Sequence, residues 1–176
     1  MLNMLNIFNF LNKNKHMRIL IVYASQLGNT EIIANILYKK IKMLYKDIHE
    51  LNFIENIKLL EEYDYTIFLI STTDDGEFPD NGKKFWKILR KYRKDLLIKY
   101  FLVGFGDSNY NSFCHSAKCL DRRLKFLKAK EVMPIVLIDD AVYDVDNTKK
   151  WINDVSKKLF ILENTIQSGY AKRMSN

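Results

Sequence analysis

Along the chain, short unbroken runs of apolar residues alternate with longer stretches in which apolar residues recur every three or four positions. Arg18–Ala24 (RILIVYA), residues 65–70 (YTIFLI), residues 100–105 (YFLVGF) and residues 132–138 are of the first kind. They are rich in β-branched and aromatic residues and bounded by polar turns, which predicts strands buried on both faces. A weaker run at residues 48–53 predicts a second strand in chain order. Between these runs, Ile33, Leu37, Ile41 and Leu44 predict one amphipathic helix, and Phe85, Trp86, Leu89 and Tyr92 another. Phe113, Ala117, Leu120, Leu124 and Leu127 line one face of a third, with Asp121, Arg122, Lys125 and Lys128 off that face. Trp151, Val155 and Leu159 form the stripe of a last helix. There is no internal repeat and no Pro/Ser-rich linker.

Strand and helix alternating in this way predict an α/β fold: a doubly wound, five-stranded parallel sheet with helices on both faces. In such sheets ligands bind beyond the carboxyl ends of the strands. Three polar, glycine-bearing loops, at residues 25–30, 71–82 and 104–112, leave those ends and should converge on one side of the sheet.

The first loop runs from a buried strand into a helix N-terminus, where unpaired N–H groups and a partial positive charge favour a phosphate. Gly28 lets the backbone curl close, and Ser25, Asn29 and Thr30 add side-chain donors. With no lysine and no G-x-G-x-x-G, the loop is neither a Walker-type nor a dinucleotide-binding loop. The same residues also suit a plain helix cap. In the second loop, Ser71, Thr72 and Thr73 offer hydroxyls, and Gly76 allows a close backbone approach to a flat ring. In the third, Tyr110 sits among small residues, either stacking on an aromatic ligand or simply half-buried. Asp74, Asp75, Glu77, Asp139 and Asp140 are acidic, but they lack EF-hand spacing and read as solvated, so no metal site is expected.

Composition narrows this further. The 176 residues suit one domain, and a hydrophobic share of 48% supports a sizeable core. Lys+Arg is 28 against Asp+Glu 21, a net charge of +7. That excess suits an acidic partner, a nucleic acid or an anionic membrane, or is simply a solvated lysine-rich surface. No basic stretch is interleaved with aromatics, so nucleic acid is not expected. Cys114 and Cys119 lie five apart in one expected helix, a poor disulfide pair, and His16, His49 and His115 are scattered. A reducing, cytoplasmic setting follows. Residues 1–17 (MLNMLNIFNFLNKNKHM) are too short to span a bilayer and lack the marks of a secretory signal. They are expected to be a disordered extension or an upstream start before Met17, the alternative being a weak membrane-surface or targeting segment.

Four motifs, SQLGNTE, STTDDGEFPDNGKKFW, GFGDSNYNSF and LIDD, stand in one order and spacing. Together they resemble the FMN domain of the diflavin reductase family. That family includes cytochrome P450 reductase, the sulfite reductase flavoprotein, methionine synthase reductase and the NADPH-dependent diflavin reductase of cytosolic iron–sulfur assembly, which this stretch resembles most. The resemblance runs from about residue 18 to 162, leaving 163–176 as a tail or the start of a linker. It implies a flavodoxin-like sheet in the order 2-1-3-4-5, a fold known to hold FMN at the switch point between its first and third strands.

Carried over by residue, the resemblance implies that Ser25, Gln26, Leu27, Gly28, Asn29 and Thr30 hold the FMN phosphate. Ser71, Thr72, Thr73 and Asp74 would run along the isoalloxazine ring. Phe105, Gly106, Asp107, Ser108, Asn109, Tyr110, Asn111, Ser112, Phe113 and Cys114 would form the other wall, with Tyr110 stacked on the ring. Asp140 matches a late acidic position near the flavin. The family usually carries Thr where Leu27 stands and Gly where Asp74 stands. No catalytic side chain is expected, since the chemistry belongs to the flavin.

The resemblance also implies an electron path: from an NADPH/FAD reductase module, in the same chain or a separate one, through FMN to an iron–sulfur or haem protein. FAD and NADPH would enter only through that module. The alternatives are a stand-alone flavodoxin with a separate reductase, an interaction module of the same fold that has lost FMN, and a flavodoxin domain of a tRNA-modifying enzyme.

Overall fold

A computed structural model describes residues 16–73, 76–142 and 144–174, with side chains up to residue 168. Its elements are β1 (Arg18–Ala24), α1 (Asn29–Lys40), β2 (Tyr45–Glu50), β3 (Tyr65–Ser71), α2 (Asp80–Lys91), β4 (Lys99–Gly106), α3 (His115–Phe126), β5 (Lys130–Glu131), β6 (Val136–Asp139) and α4 (Val145–Met174). Short 3-10 turns cover Leu51–Phe53, Ile57–Glu62 and Asp140–Val142. All strand pairs are parallel, in the expected order β2-β1-β3-β4-β5, with a sixth strand, β6, also on β4.

Strand side chains alternate between two cores, because successive Cβ atoms point to opposite faces. Leu20, Val22, Ala24, Phe68, Ile70 and Leu102 pack with Phe85 and Leu89 of α2 and Ala117, Leu120 and Leu124 of α3. Ile19, Ile21, Ile67, Leu69, Phe101 and Val103 pack with Ala34 and Leu37 of α1 and Trp151, Val155 and Leu159 of α4. Each such aliphatic side chain contributes about 1.5–3 kcal/mol by leaving water. The unbroken apolar runs are thus the signature of a sheet covered twice.

Several boundaries differ from the sequence reading. The second strand pairs from Arg18↔Tyr45 to Tyr23↔Glu50, so residues 51–53 lie beyond it in a 3-10 turn. β2 is an edge strand whose sequence, YKDIHE, holds one aliphatic residue, and its pattern marks no limits. The last strand is broken in two. Glu131 pairs with Tyr100 and Val136 with Val103, and Pro134 between them has no N–H to give the ladder. α1 stops at Lys40, leaving Leu44 outside it and exposed. Phe113 precedes α3, and Cys114 is its left-handed N-cap (φ 51°), so Cys114 and Cys119 do not share a helix. Tyr92 and Leu127 are C-caps rather than helix residues.

Polar ties fix the layers. The buried Tyr100 hydroxyl donates to Asp121 Oδ1 (2.8 Å), joining β4 to α3. Arg123 donates to the carbonyls of Leu89, Arg90 and Tyr92, joining α3 to the end of α2. Met17 is buried, and its N–H donates to Glu163 Oε2 of α4 (3.0 Å). Among the described residues no helix is long and apolar enough to cross a membrane.

Candidate functional site

The three loops meet at the carboxyl edge of β1, β3 and β4, as expected, and identifiable bonds hold them there. Ser71 Oγ donates to the Ala24 carbonyl (3.0 Å), tying the ends of β3 and β1. Thr72 N–H donates to the Phe105 carbonyl (3.0 Å), carrying the β3–β4 pairing one rung past the strand. Asn81, at the start of α2, accepts from Ser25 N–H (2.9 Å).

The first loop forms a lysine-free cradle at the N-terminus of α1. Gly28 caps the helix at φ 89°, a conformation that disfavours any side chain, and the space where its Cβ would stand is open. Ser25 Oγ accepts from the N–H groups of Gly28 (3.0 Å) and Thr30 (3.2 Å), taking the place an anion's oxygen takes at such helix ends. Asn29 is exposed beside it and Thr30 is buried. Gln26 points elsewhere: its amide exchanges bonds with the backbone and carboxylate of Asp80 (3.1 and 3.4 Å). Leu27 is 88% exposed and its side chain offers no donor.

The second and third loops form one body. Thr73 N–H and Oγ1 both donate to the Glu77 carbonyl (3.0 and 3.1 Å), and Gly76 N–H donates to the Thr73 carbonyl (2.8 Å). Thr72 Oγ1 accepts from Ser116 N–H (3.2 Å), and Ser116 Oγ donates to the Gly76 carbonyl (3.4 Å). Gly76 has φ 78°, and a Cβ there would lie 2.9 Å from Ser112 Cβ. Its close approach is therefore to the neighbouring loop. Asp74 and Asp75 lie outside the described residues.

In the third loop, Asp107 Oδ1 accepts from Asn109 N–H (2.8 Å), and Tyr110 N–H returns to the Asp107 carbonyl (3.2 Å). This closed turn presents Tyr110 49% exposed, beside exposed Ser108, Asn109 and Asn111 and the partly exposed Ser112 and Phe113. Phe105 faces the other way. Its ring belongs to the core beside Ile138 and Trp151, so only its backbone reaches the site. Gly106 has no room for a side chain, since a Cβ would stand 2.7 Å from Cys114 N. Cys114 is wholly buried, and burial pushes its thiol up to about 12.

Beyond β6, Asp139 Oδ1 accepts from Ser108 N–H (3.0 Å) and Ala141 N–H (3.0 Å). The Ser108 hydroxyl first, and then these N–H groups, hold its carboxyl below the ordinary range. Asp140 is raised instead, by desolvation and then by repulsion from Asp139 and Asp107. Three supporting residues escaped the sequence reading of the site: Asn81, Ser116 and, as the anchor of the third loop, Asp139. Each acts across the fold on a loop distant in sequence, and no local pattern marks such a bond. Among the described residues no group of His, Cys, Asp or Glu is arranged to hold a metal.

The donor set fits FMN. A helix N-terminus with uncharged donors and no cation suits a monophosphate, and an exposed tyrosine beside two polar loops suits a flat ring. Comparison with known proteins points the same way. Residues 21–151 match the model of the Flavodoxin family. The chain is 32% identical over 152 residues to the mitochondrial pyruvate dehydrogenase [NADP(+)] of Euglena gracilis, covering 79% of this chain and 8% of that protein. It is 33% identical over 128 residues to NADPH-dependent diflavin oxidoreductase 1 of Aspergillus fumigatus, covering 65% of this chain and 20% of that protein. The chain thus spans a fifth or less of these relatives. Among solved structures, oxidised flavodoxin 2 of Bacillus cereus superposes with a TM-score of 0.67 at 28% identity, covering 80% of this chain and 96% of that one.

Proposed function

The chain belongs to the flavodoxin family, whose cofactor is FMN, and we propose that it relays electrons from an NADPH/FAD reductase module to a protein acceptor. The carrying observation is the cradle at the start of α1, lysine-free and set at the same sheet edge as the exposed Tyr110. FMN, when bound, supplies the redox chemistry. The chain's own residues bind it, orient it and limit its contact with water.

In this reading Ser25, Gly28, Asn29 and Thr30 hold the phosphate. The Gly28 and Thr30 N–H groups turn from Ser25 Oγ to the phosphate, and the freed hydroxyl donates in turn. Gln26 braces the loop against α2, and Leu27 contributes only its backbone. Ser71, Thr72 and Thr73, with Asp74 beyond them, run along the ring. Gly106, Asp107, Ser108, Asn109, Tyr110, Asn111, Ser112 and Phe113 form the opposite wall, with Tyr110 stacked on the ring, while Phe105 and Cys114 support it from within. Asp140 adds negative charge at the rim. The FMN domain takes in residues 18–162, and α4 continues past that span with Ile166 still packed on the core. The reductase module lies in the same chain or a separate one, and the acceptor is an iron–sulfur or haem protein. Similarity to a diflavin oxidoreductase supports this assignment, and two free thiols suit a cytoplasmic setting.

A visible spectrum and an FMN titration followed by flavin fluorescence test the reading. Saturable one-to-one quenching by FMN, and markedly weaker binding of riboflavin, are expected. Equal binding of both would remove the phosphate cradle from the account. No binding of either would leave an interaction module of the same fold. Tyr110→Ala should weaken FMN by about tenfold, the worth of a stacked ring of about 1–1.5 kcal/mol; unchanged affinity would exclude stacking.

A further inference from the structure

We propose that the groove between α2 and α3 is the docking surface for an acidic protein redox partner, an inference that rests on the electron-relay reading above. The groove has a volume of about 390 Å³ and opens beside the second loop of the flavin site. Gly76 and Ser116 line it; Ser116 bonds both Gly76 and Thr72, and Gly76 bonds Thr73. A partner seated there therefore abuts the loop that runs along the ring.

The two helices that wall the groove are basic, and Lys83, Lys87 and Arg90 line it together with one acid, Glu77. α2 and α3 together carry nine basic and two acidic side chains, a formal excess of +7 that equals the excess of the whole chain. Part of it is spent internally. Lys83 pairs with Asp80 and Glu77, Lys84 with Glu55, Lys125 with Asp121 and Glu131, and Arg123 bonds to carbonyls. Lys87 and Arg90, both on the groove wall, have no acidic partner among the described residues. Cations on the wall of a groove beside a redox site attract and orient a negative surface.

The floor selects protein over nucleic acid. Phe78 is buried and stacked on the partly buried Trp86, with ring centroids 4.8 Å apart at 20°, so the groove offers at most one free aromatic face, that of Trp86. Single-stranded nucleic acid needs free aromatic faces on which successive bases stack. A rigid, walled groove with cations on its lip suits a protruding acidic side chain or loop.

The test uses the full, FMN-loaded chain with an acidic plant-type [2Fe–2S] ferredoxin as probe, followed by calorimetry and by amide chemical shifts. Binding is expected at about 20 mM salt and should weaken about tenfold or more by about 200 mM, as screening of a charged interface requires. Shifts should centre on Lys83, Lys87, Arg90 and Ser116. Lys87→Glu with Arg90→Glu should weaken binding about tenfold or more, while Lys149→Glu with Lys157→Glu, the same charge change on α4, should cost less than about threefold. Equal losses in the two variants would overturn the proposal in favour of diffuse net charge. No binding at low salt, or shifts centred on another face, would also overturn it. A ~20-bp DNA duplex displacing the ferredoxin at lower concentration would assign the face to nucleic acid instead. An FMN titration of each protein separates the two readings, because ferredoxin binding is read directly and does not depend on flavin chemistry.

Discussion

Leu27 and Ser25 stand two positions apart in one cradle and do opposite things. Ser25 satisfies two N–H groups of the helix start, whereas Leu27 projects into water and touches nothing that would miss it. Leu27→Thr should therefore leave thermal stability unchanged while adding a hydroxyl at the rim of the cradle. One added hydrogen bond is worth about 1 kcal/mol, or roughly fivefold in FMN affinity, with riboflavin affinity unmoved. Equal gains for both flavins would mean that residue 27 acts on the ring. The two cysteines differ as sharply. Cys114 is sealed, its thiol pushed up to about 12, and its sulfur lies toward the Ile138 carbonyl (3.8 Å). Cys119 is partly exposed on α3, with Arg122 donating to its sulfur (3.2 Å). Native protein treated with iodoacetamide should take up a single adduct, lost in Cys119→Ser, and a second only in denaturant. A second adduct under native conditions would show that residues 106–114 open.

At the scale of elements, the contact that positions the third loop is that of α3 on β4, and it depends on a missing side chain. A Cβ on Gly104 would stand 2.6 Å from Ala117 Cβ, too close for two carbon atoms. Gly104→Ala should push α3 outward and cost about 1–3 kcal/mol, as overpacking does. Thermal unfolding measures the loss. Adding Ala117→Gly should recover part of it, less about 1 kcal/mol for glycine within a helix. No recovery would place the strain elsewhere. The sequence marks this glycine only as a gap in an apolar strand, and says nothing of which helix fills the gap. That contrast holds across the molecule. The strands, their parallel pairing and the convergence of the three loops were legible, because burial on both faces leaves an unbroken apolar run. β2 was legible only as a weak run, since an edge strand with one aliphatic residue has no pattern to bound it. The break at Pro134 needed the ladder of β4 to be seen. Tyr110 stood out by type alone, but the bonds of Asn81 and Asp139 to the loops became visible only once the chain was folded.

For the whole molecule, the question is what closes the sheet against its last helix. Trp151, Val155 and Leu159 pack α4 on the sheet, and one bond ties it to the residue before β1: buried Met17 gives its N–H to Glu163, itself almost buried, and His16 Nδ1 lies 3.5 Å from the other carboxylate oxygen. This bond joins the two residues just outside 18–162, the span the family resemblance suggested, so both flanks are expected to add to the stability of that unit. Glu163→Ala would leave a buried N–H without an acceptor, at a cost of about 1–3 kcal/mol. For a domain of this size that is a fall in Tm of roughly 2–4 °C per kcal/mol. A chain begun at Met17 places its terminal ammonium where the amide now stands, turning a neutral donor into a charged one beside a carboxylate. Its Tm should match or exceed that of the full chain, and Glu163→Ala should then cost more than in the full chain. A chain ended at residue 162 loses Glu163 together with Ile166, which packs on the α1–α4 core, and should melt lower than Glu163→Ala alone. If shortening to 162 has no effect while Glu163→Ala does, the substitution acts through the unfolded chain. If neither has an effect, α4 is held by Trp151, Val155 and Leu159 alone, and the closure ends a turn earlier than the bond to Met17 implies.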